Sequence, residues 1–310
     1  MKTERILLLI ALLGAIVSCN TSIEIEDEAT SERTKEEVVM KQWLDYLCSE
    51  TCEGRKAGTN GAYVASQFIY DELSKMGYEP SLQEFKHSYK NESYQLKNVI
   101  VTIPGVKDSC IVIGAHFDGQ FEDVQSETGL VHYPAANDNA SGVVTLLKIA
   151  YDLVTGFKET PIYTINLCFW DGEENTYGKC FKGSSYFVEQ QKQKGEDCLY
   201  YQNLDSIGHN HEKGYNLYYY GDLAMNRILP ILLKTDMLFV NVTERGKGEG
   251  SSDYVPFTAQ GIPAVSFGDY HSEGCPYTWH SVKDTPDHIS INTLIKDGRI
   301  VEEIVNSFCI

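Results

Sequence analysis

The chain has no Lys/Arg-rich run, no internal repeat, no Cys-x-x-Cys pair and no low-complexity linker. Each absence excludes something. With a formal charge of −18 and dispersed cations, it lacks the electrostatic footprint of a nucleic-acid binder, and no nucleic acid is expected as a partner. Without a repeat there is no solenoid or propeller to build. Without paired thiolates at zinc-finger spacing there is no structural zinc site of that kind. The apolar run from Ile6 to Val17 is too short to cross a bilayer. What remains is 310 residues of 42% hydrophobic composition, enough for one large α/β domain with a sizeable core.

The amino terminus carries its own signal. Met1 to Arg5 is a short basic segment, Ile6 to Val17 is apolar, and Ile16-Val17-Ser18-Cys19 resembles the bacterial lipoprotein signal. That resemblance implies removal of residues 1–18 and a lipidated Cys19 that anchors an exported lipoprotein to a membrane of the bacterial cell envelope, periplasmic or outer. The polar, acidic stretch 19–35 then reads as a flexible tether, and 36–310 as one domain. Export permits disulfides: Cys48 with Cys52, and the loop residues Cys180 and Cys275, are the pairing candidates, whereas Cys110 and Cys168 fall in apolar runs and read as buried thiols.

Along the domain, apolar spacing predicts helices over Glu36–Leu47, Ala62–Met76, Val143–Leu153, Tyr186–Gln193, Leu223–Lys234, Val255–Ala259 and Ile291–Phe308. Strands are expected over Leu82–Phe85, Leu96–Ile103, Cys110–Ala115, a run ending at Trp170, Leu199–Leu204, Asn216–Tyr220 and Ala264–Phe267. Gly54–Gly61 and Gly246–Ser252 read as glycine-punctuated loops, and Ser141 as the helix N-cap.

Chemistry gathers at the ends of these runs. The stretch Pro161–Trp170 leads through Asp171 and Gly172 into Glu173-Glu174, two carboxylates that cannot point the same way from an extended backbone. One can bind a cation while its neighbour handles protons. His116 and Asp118, two apart, face one side, so the carboxylate can orient the imidazole. Asp138 precedes a helix, where it or Asn139 could simply cap, or where a carboxylate could bridge two cations. Asp205 closes another strand, and His280 sits in a polar loop. His209 and His211 read as surface residues, and the Tyr218-Tyr219-Tyr220 run as strand packing. Carboxylates with imidazoles and no thiolates suit zinc at an open, catalytic site. His116 with Asp205 can serve one ion and Glu174 with His280 the other, which leaves Glu173 free as a base.

These stretches resemble the co-catalytic zinc aminopeptidases typified by secreted bacterial leucyl aminopeptidases. The resemblance is carried by Gly114–Asp118, Asn137–Gly142, Gly172–Glu174, Asn203–Gly208, Ser252-Asp253 with Pro256-Phe257, Gly261–Pro263 and His280–Thr285. It implies an α/β three-layer sandwich with a central mixed, mostly parallel sheet flanked by helices. It implies two zinc ions held by His116, Asp138, Glu174, Asp205 and His280, with Asp138 as the bridge, Glu173 as the general base and Asp118 behind His116. It further implies peptide substrates with a free amino terminus. Trp279 before His280, and the long connection Asn175–Lys182, are similar instead to the related glutaminyl-peptide cyclotransferases, which use a single zinc. Where some aminopeptidases place an oxyanion-stabilising Tyr the chain has Glu249, with Tyr254 as the available substitute.

Overall fold

The computed structural model describes residues 35–120, 124–126, 129–156, 160–209, 214–269 and 279–309. The lipoprotein signal, Cys19, most of the tether, His211 and Cys275 lie outside these residues. The chain divides into two compact units, Met1–Gln42 and Trp43–Ile310. In the first, residues 35–42 are helical. The second opens on a helical stretch at 43–47.

Its helices are α1 (Asn60–Lys75), α2 (Ser141–Gly156), α3 (Lys182–Lys194), α4 (Leu229–Leu232), α5 (Tyr254–Ala259) and α6 (Ile291–Cys309). Its strands are β1 (Ser81–Tyr89), β2 (Glu92–Ile103), β3 (Lys107–His116), β4 (Val124–Ser126), β5 (Gly129–Val131), β6 (Tyr163–Trp170), β7 (Cys198–Leu204), β8 (Tyr215–Tyr220), β9 (Phe239–Glu244) and β10 (Ala264–Asp269). Eight of them form one sheet in the order β1-β2-β6-β3-β7-β10-β8-β9, and β4-β5 is a separate hairpin. The β6-β3, β3-β7, β7-β10 and β8-β9 pairs are parallel, so the sheet is mixed with parallel pairing in the majority. Helices α1, α2 and α6 cover one face, and α3 and α5 the other. This is the three-layer arrangement expected from the sequence.

Burial on both faces explains the central strands. Within β3 the run Cys110-Ile111-Val112-Ile113-Gly114-Ala115 is buried throughout, as a strand segment between two helical layers must be. Gly114 is required there, because a Cβ would lie 2.3 Å from Trp170 Nε1 and 2.6 Å from the Tyr201 hydroxyl. That indole donates to Tyr201 at 3.0 Å, and the Tyr201 and Phe257 rings stack at 3.9 Å. The close approach of strand to aromatic layer is therefore built on a missing side chain.

Several local expectations are corrected. Leu223–Lys234 is not one regular helix. A π-turn at Ala224–Ile228 precedes α4, and Pro230 has no N–H to donate back to Asn226. Gly54–Gly61 is not all loop, since Glu50–Arg55 forms 3₁₀ turns and α1 starts at Asn60. Edge strand β9 escaped the sequence reading because its exposed, polar-interrupted segment carries little hydrophobic signal. Cys48 and Cys52 remain free thiols, as do the other described cysteines. His209 is half-buried rather than a surface residue.

One buried acid on α6 sets a pH dependence. Asp297 accepts a hydrogen bond from the Tyr215 hydroxyl at 2.9 Å, while its Oδ2 has no hydrogen-bond partner. Burial pushes its pKa up to about 8, against the relief given by Tyr215. The unfolded chain releases this proton near pH 4 and the folded chain retains it to about pH 8, so stability falls as pH rises through that window. Asp297→Asn is expected to flatten the slope of stability against pH between about 4 and 8, read from urea midpoints at several pH values.

Candidate metal centre

The carboxyl ends of the parallel strands converge on one cavity of about 600 Å³. β3 ends at His116, β6 runs into the Glu173-Glu174 turn, β7 is followed by Asp205, and Asp138 stands in the π-turn Ala136–Ala140 just before α2. His280 arrives from the loop ahead of α6 with φ of 51°. Asp138, Glu173, Glu174, Asp205 and His280 line the cavity, and His116 lies buried behind them.

Asp138 organises the geometry by dividing its oxygens. Its Oδ1 lies 3.2 Å from His116 Nε2, and its Oδ2 lies 3.0 Å from His280 Nε2. Asp205 Oδ1 approaches the same His116 nitrogen at 3.4 Å, and Glu174 Oε1 approaches the same His280 nitrogen at 3.5 Å. Two three-ligand groups result, His116-Asp138-Asp205 and Asp138-Glu174-His280, with ligand atoms within 4.8 Å of one another in each. Tetrahedral ligands at about 2.0–2.1 Å from an ion stand roughly 3.3 Å apart, so the donor set fits zinc. The buried Glu174 Oε1 also has no hydrogen-bond partner. The structure thus brings together all five residues proposed as ligands, with Glu173 beside them.

Two further carboxylates shape the loops. Asp118 was expected behind His116. The imidazole Nδ1 does meet Asp118, but through its main-chain carbonyl at 3.0 Å, with the carboxylate at 3.7 Å. The carboxylate instead accepts the N–H groups of Glu173 and Glu174 at 2.9 and 3.2 Å. Asp284 plays the matching part for the other turn, accepting the N–H groups of Asn137 and Asp138 at 2.8 and 3.0 Å. Sequence reading placed Asp284 in a motif without a role, because only the fold brings residue 284 under residue 138. The helix cap is likewise reassigned: Asn139 Oδ1 accepts Gly142 N–H at 3.0 Å, whereas Ser141 lies inside the helix and donates to Asn137 O at 2.7 Å. Capping falls to Asn139, which leaves Asp138 for the cavity.

The remaining polar groups are ordered in turn. Ser252 Oγ donates to Asp205 Oδ2 at 2.5 Å and accepts from Asn203 Nδ2 at 2.9 Å. Trp279 Nε1 donates to Asp138 Oδ2 at 2.7 Å, and its ring stacks on His280. Tyr254 lines the cavity, and its hydroxyl accepts Ser251 N–H, leaving its own proton to donate. Glu249 does not enter the cavity lining and instead receives the N–H of Gly246. Tyr218 also lines the cavity, so the tyrosine run does more than pack a strand.

So many buried acids perturb one another. Burial pushes Glu173 well above the usual carboxylate range, with Glu174, Asp205 and Asp253 adding to the effect and His116 opposing it. Burial also raises Glu174 to about 7 and Asp253 to about 7. Burial disfavours charge on His280, yet Asp138 and Glu174 together hold its pKa up to about 10. A divalent cation would take over the role of these protons and favour the deprotonated ligands.

Asp284→Ala would strand the Asn137 and Asp138 N–H groups. It is expected to cost about 1–3 kcal/mol of stability in chemical denaturation. Zinc affinity, measured by competition with a chromophoric chelator, should fall about 10–100-fold.

The model for Peptidase family M28 matches residues 98–305. A probable leucine aminopeptidase of Trichophyton verrucosum is 23% identical over 258 residues, covering 78% of this chain and 67% of that protein. Across three such curated relatives the chain spans 58–67% of their length. Among solved structures, a Zn-dependent exopeptidase from Parabacteroides distasonis superposes with a TM-score of 0.67 at 18% identity, covering 86% of this chain and 96% of that one. A glutaminyl cyclase from Porphyromonas gingivalis gives 0.69 at 20% identity, with 86% and 96% covered. At these identities the structural likeness establishes the fold, and the family match over two thirds of the sequence establishes the lineage: the chain belongs to peptidase family M28.

Proposed function

We propose that the protein is a zinc-dependent aminopeptidase that hydrolyses the first peptide bond of peptides with a free amino terminus. The observation that carries this reading is the divided carboxylate of Asp138, one oxygen turned to His116 and the other to His280. That arrangement suits two ions, the first held by His116, Asp138 and Asp205 and the second by Asp138, Glu174 and His280. The curated relatives named leucine aminopeptidases support the same reaction.

When bound, a zinc pair lowers the pKa of a water toward neutrality and polarises the scissile carbonyl. The chain's own residues do the rest. Glu173, buried beside the ligands yet not one of them, takes the proton of the attacking water and returns it to the leaving amine nitrogen. Asp118 holds the Glu173-Glu174 turn so that base and ligand diverge from adjacent positions. Tyr254, with its hydroxyl proton available, is the candidate donor to the developing oxyanion.

A second reading is a glutaminyl-peptide cyclotransferase with one zinc, held by Asp138, Glu174 and His280; Trp279 directly before His280 and the fold shared with glutaminyl cyclases support it.

Glu173→Ala is expected to lower turnover on aminoacyl chromogenic substrates by about 10²–10⁴-fold while bound zinc, counted by elemental analysis, stays at two per chain. Survival of activity in that variant would remove Glu173 from the base role. One tight zinc together with cyclisation of amino-terminal Gln would make the cyclase the better answer.

We also propose, from the sequence signal alone, that residues 1–18 are removed, that Cys19 carries a lipid anchor and that residues 19–35 tether a single catalytic domain over 36–310 to the bacterial cell envelope. Radiolabelled palmitate should mark the chain expressed in a bacterium and leave Cys19→Ala unlabelled.

A further inference from the structure

Three cysteines gather on one face of the sheet. Cys110 on β3, Cys168 on β6 and Cys198 on β7 belong to the cluster under α3 and α5. Cys110 and Cys198 are direct partners in the parallel β3-β7 ladder, and Cys110 N–H donates to Asp197 O at 2.8 Å. In-register partners on adjacent strands lie about 5 Å apart, inside the Cα separation that a disulfide spans. The ladder shifts register directly after this pair, so the two residues meet at an irregularity that can accommodate a change of side-chain geometry.

The Cys110 sulfur has two polar neighbours, the Cys198 thiol, which itself donates to Tyr200 O at 3.6 Å, and the Asn166 amide. The amide is aimed there by Thr102, whose hydroxyl donates to Asn166 Oδ1 at 2.8 Å and so leaves the NH₂ group as the free end. The contact with Cys198 holds the Cys110 thiol below its ordinary pKa in spite of burial, and the same contact holds Cys198 well above its own. Cys198 is half-buried, whereas Cys110 is buried.

We propose that Cys110 and Cys198 are a redox pair that closes to a disulfide by exchange with a low-molecular-weight disulfide. Cys198, the more exposed of the two, attacks one sulfur of the reagent and passes its proton to the departing sulfur, forming a mixed disulfide and releasing one thiol. The Cys110 thiolate then attacks Cys198 Sγ, forming the protein disulfide and releasing the second thiol. The protein loses two protons and two electrons, and the reagent gains them as two thiols. The bond joins β3 and β7 at the ends opposite His116 and Asp205. A one-residue slip between these strands would displace Asp205 from His116 by about 3.3 Å, so the crosslink fixes the register on which the first ligand group depends.

The test is incubation of the folded full chain with oxidised glutathione, followed by alkylation and peptide mass spectrometry, beside a thermal melt. The expected result is one linked peptide pair containing Cys110 and Cys198, the loss of two alkylatable thiols, and a melting temperature raised by about 5–10 °C. Cys198→Ser should lose both the linked pair and the shift, while Cys168→Ser should retain both. Glutathione left stably on Cys198, a Cys110–Cys168 link, or full alkylation of both residues after oxidation would each overturn the proposal.

Discussion

A buried carboxylate gripping two successive backbone N–H groups is the constraint on which the cavity depends, and the fold applies it twice. Asp118 holds the turn at Glu173-Glu174, and Asp284 holds the turn at Asn137-Asp138. Each grip satisfies donors that a loop at a strand end would otherwise leave unpaired, and each fixes the direction in which the next side chain leaves the backbone. Glu174 and Asp138 are thereby aimed at one point from opposite walls. Asp284 reaches its turn only because the loop ahead of α6 folds back beneath α2, which is also how His280 arrives.

The same arrangement creates a charge problem that chemistry can use. Asp118, Asp138, Glu173, Glu174, Asp253 and Asp284 are all buried within one neighbourhood, and uncompensated carboxylates in such a place are costly. The histidines compensate part of this, and the nearby carboxylates raise the pKa of His116 and His280 while burial raises those of Glu173 and Glu174. Divalent ions would replace those protons at the same oxygens and nitrogens. Glu173 belongs to neither candidate ligand group, so its carboxylate would stay unengaged when both were filled.

Support reaches the site from residues that precede the family-matched segment. Arg55 is fully buried and donates to four main-chain carbonyls, those of Leu47, Phe117, Pro134 and Ala135, at 2.6 to 2.9 Å. Phe117 lies between His116 and Asp118, and Ala135 opens the π-turn that bears Asp138, so one guanidinium pins both ligand loops. Its planar fork can serve several acceptors at once, which a lysine could not do. Residues 175–182 are pinned from the other side: Tyr177 stacks on Tyr94 of the β1-β2 hairpin at 3.6 Å, which sets the rim where Asn175, Cys180 and Phe181 face the cavity.

Much of this was legible in the sequence, for identifiable reasons. Central strands such as β3 and β6 announce themselves as apolar runs because both their faces are covered, and strand ends bearing His116, Glu173-Glu174 and Asp205 follow from where those runs stop. Edge strand β9 and the broken helix at Pro230 were missed or smoothed over because their signals are weak or local. Residue types and spacing by themselves pointed to the candidate donor set, the α/β class and the separation of Glu173 from Glu174. Only the tertiary structure decided that Asp138 faces the cavity while Asn139 caps the helix, that Asp118 works through the Glu173-Glu174 backbone, and that Asp284 and Arg55 hold the ligand loops. Those roles depend on contacts between residues far apart in the chain, and no local pattern encodes which distant N–H or carbonyl a buried side chain will meet.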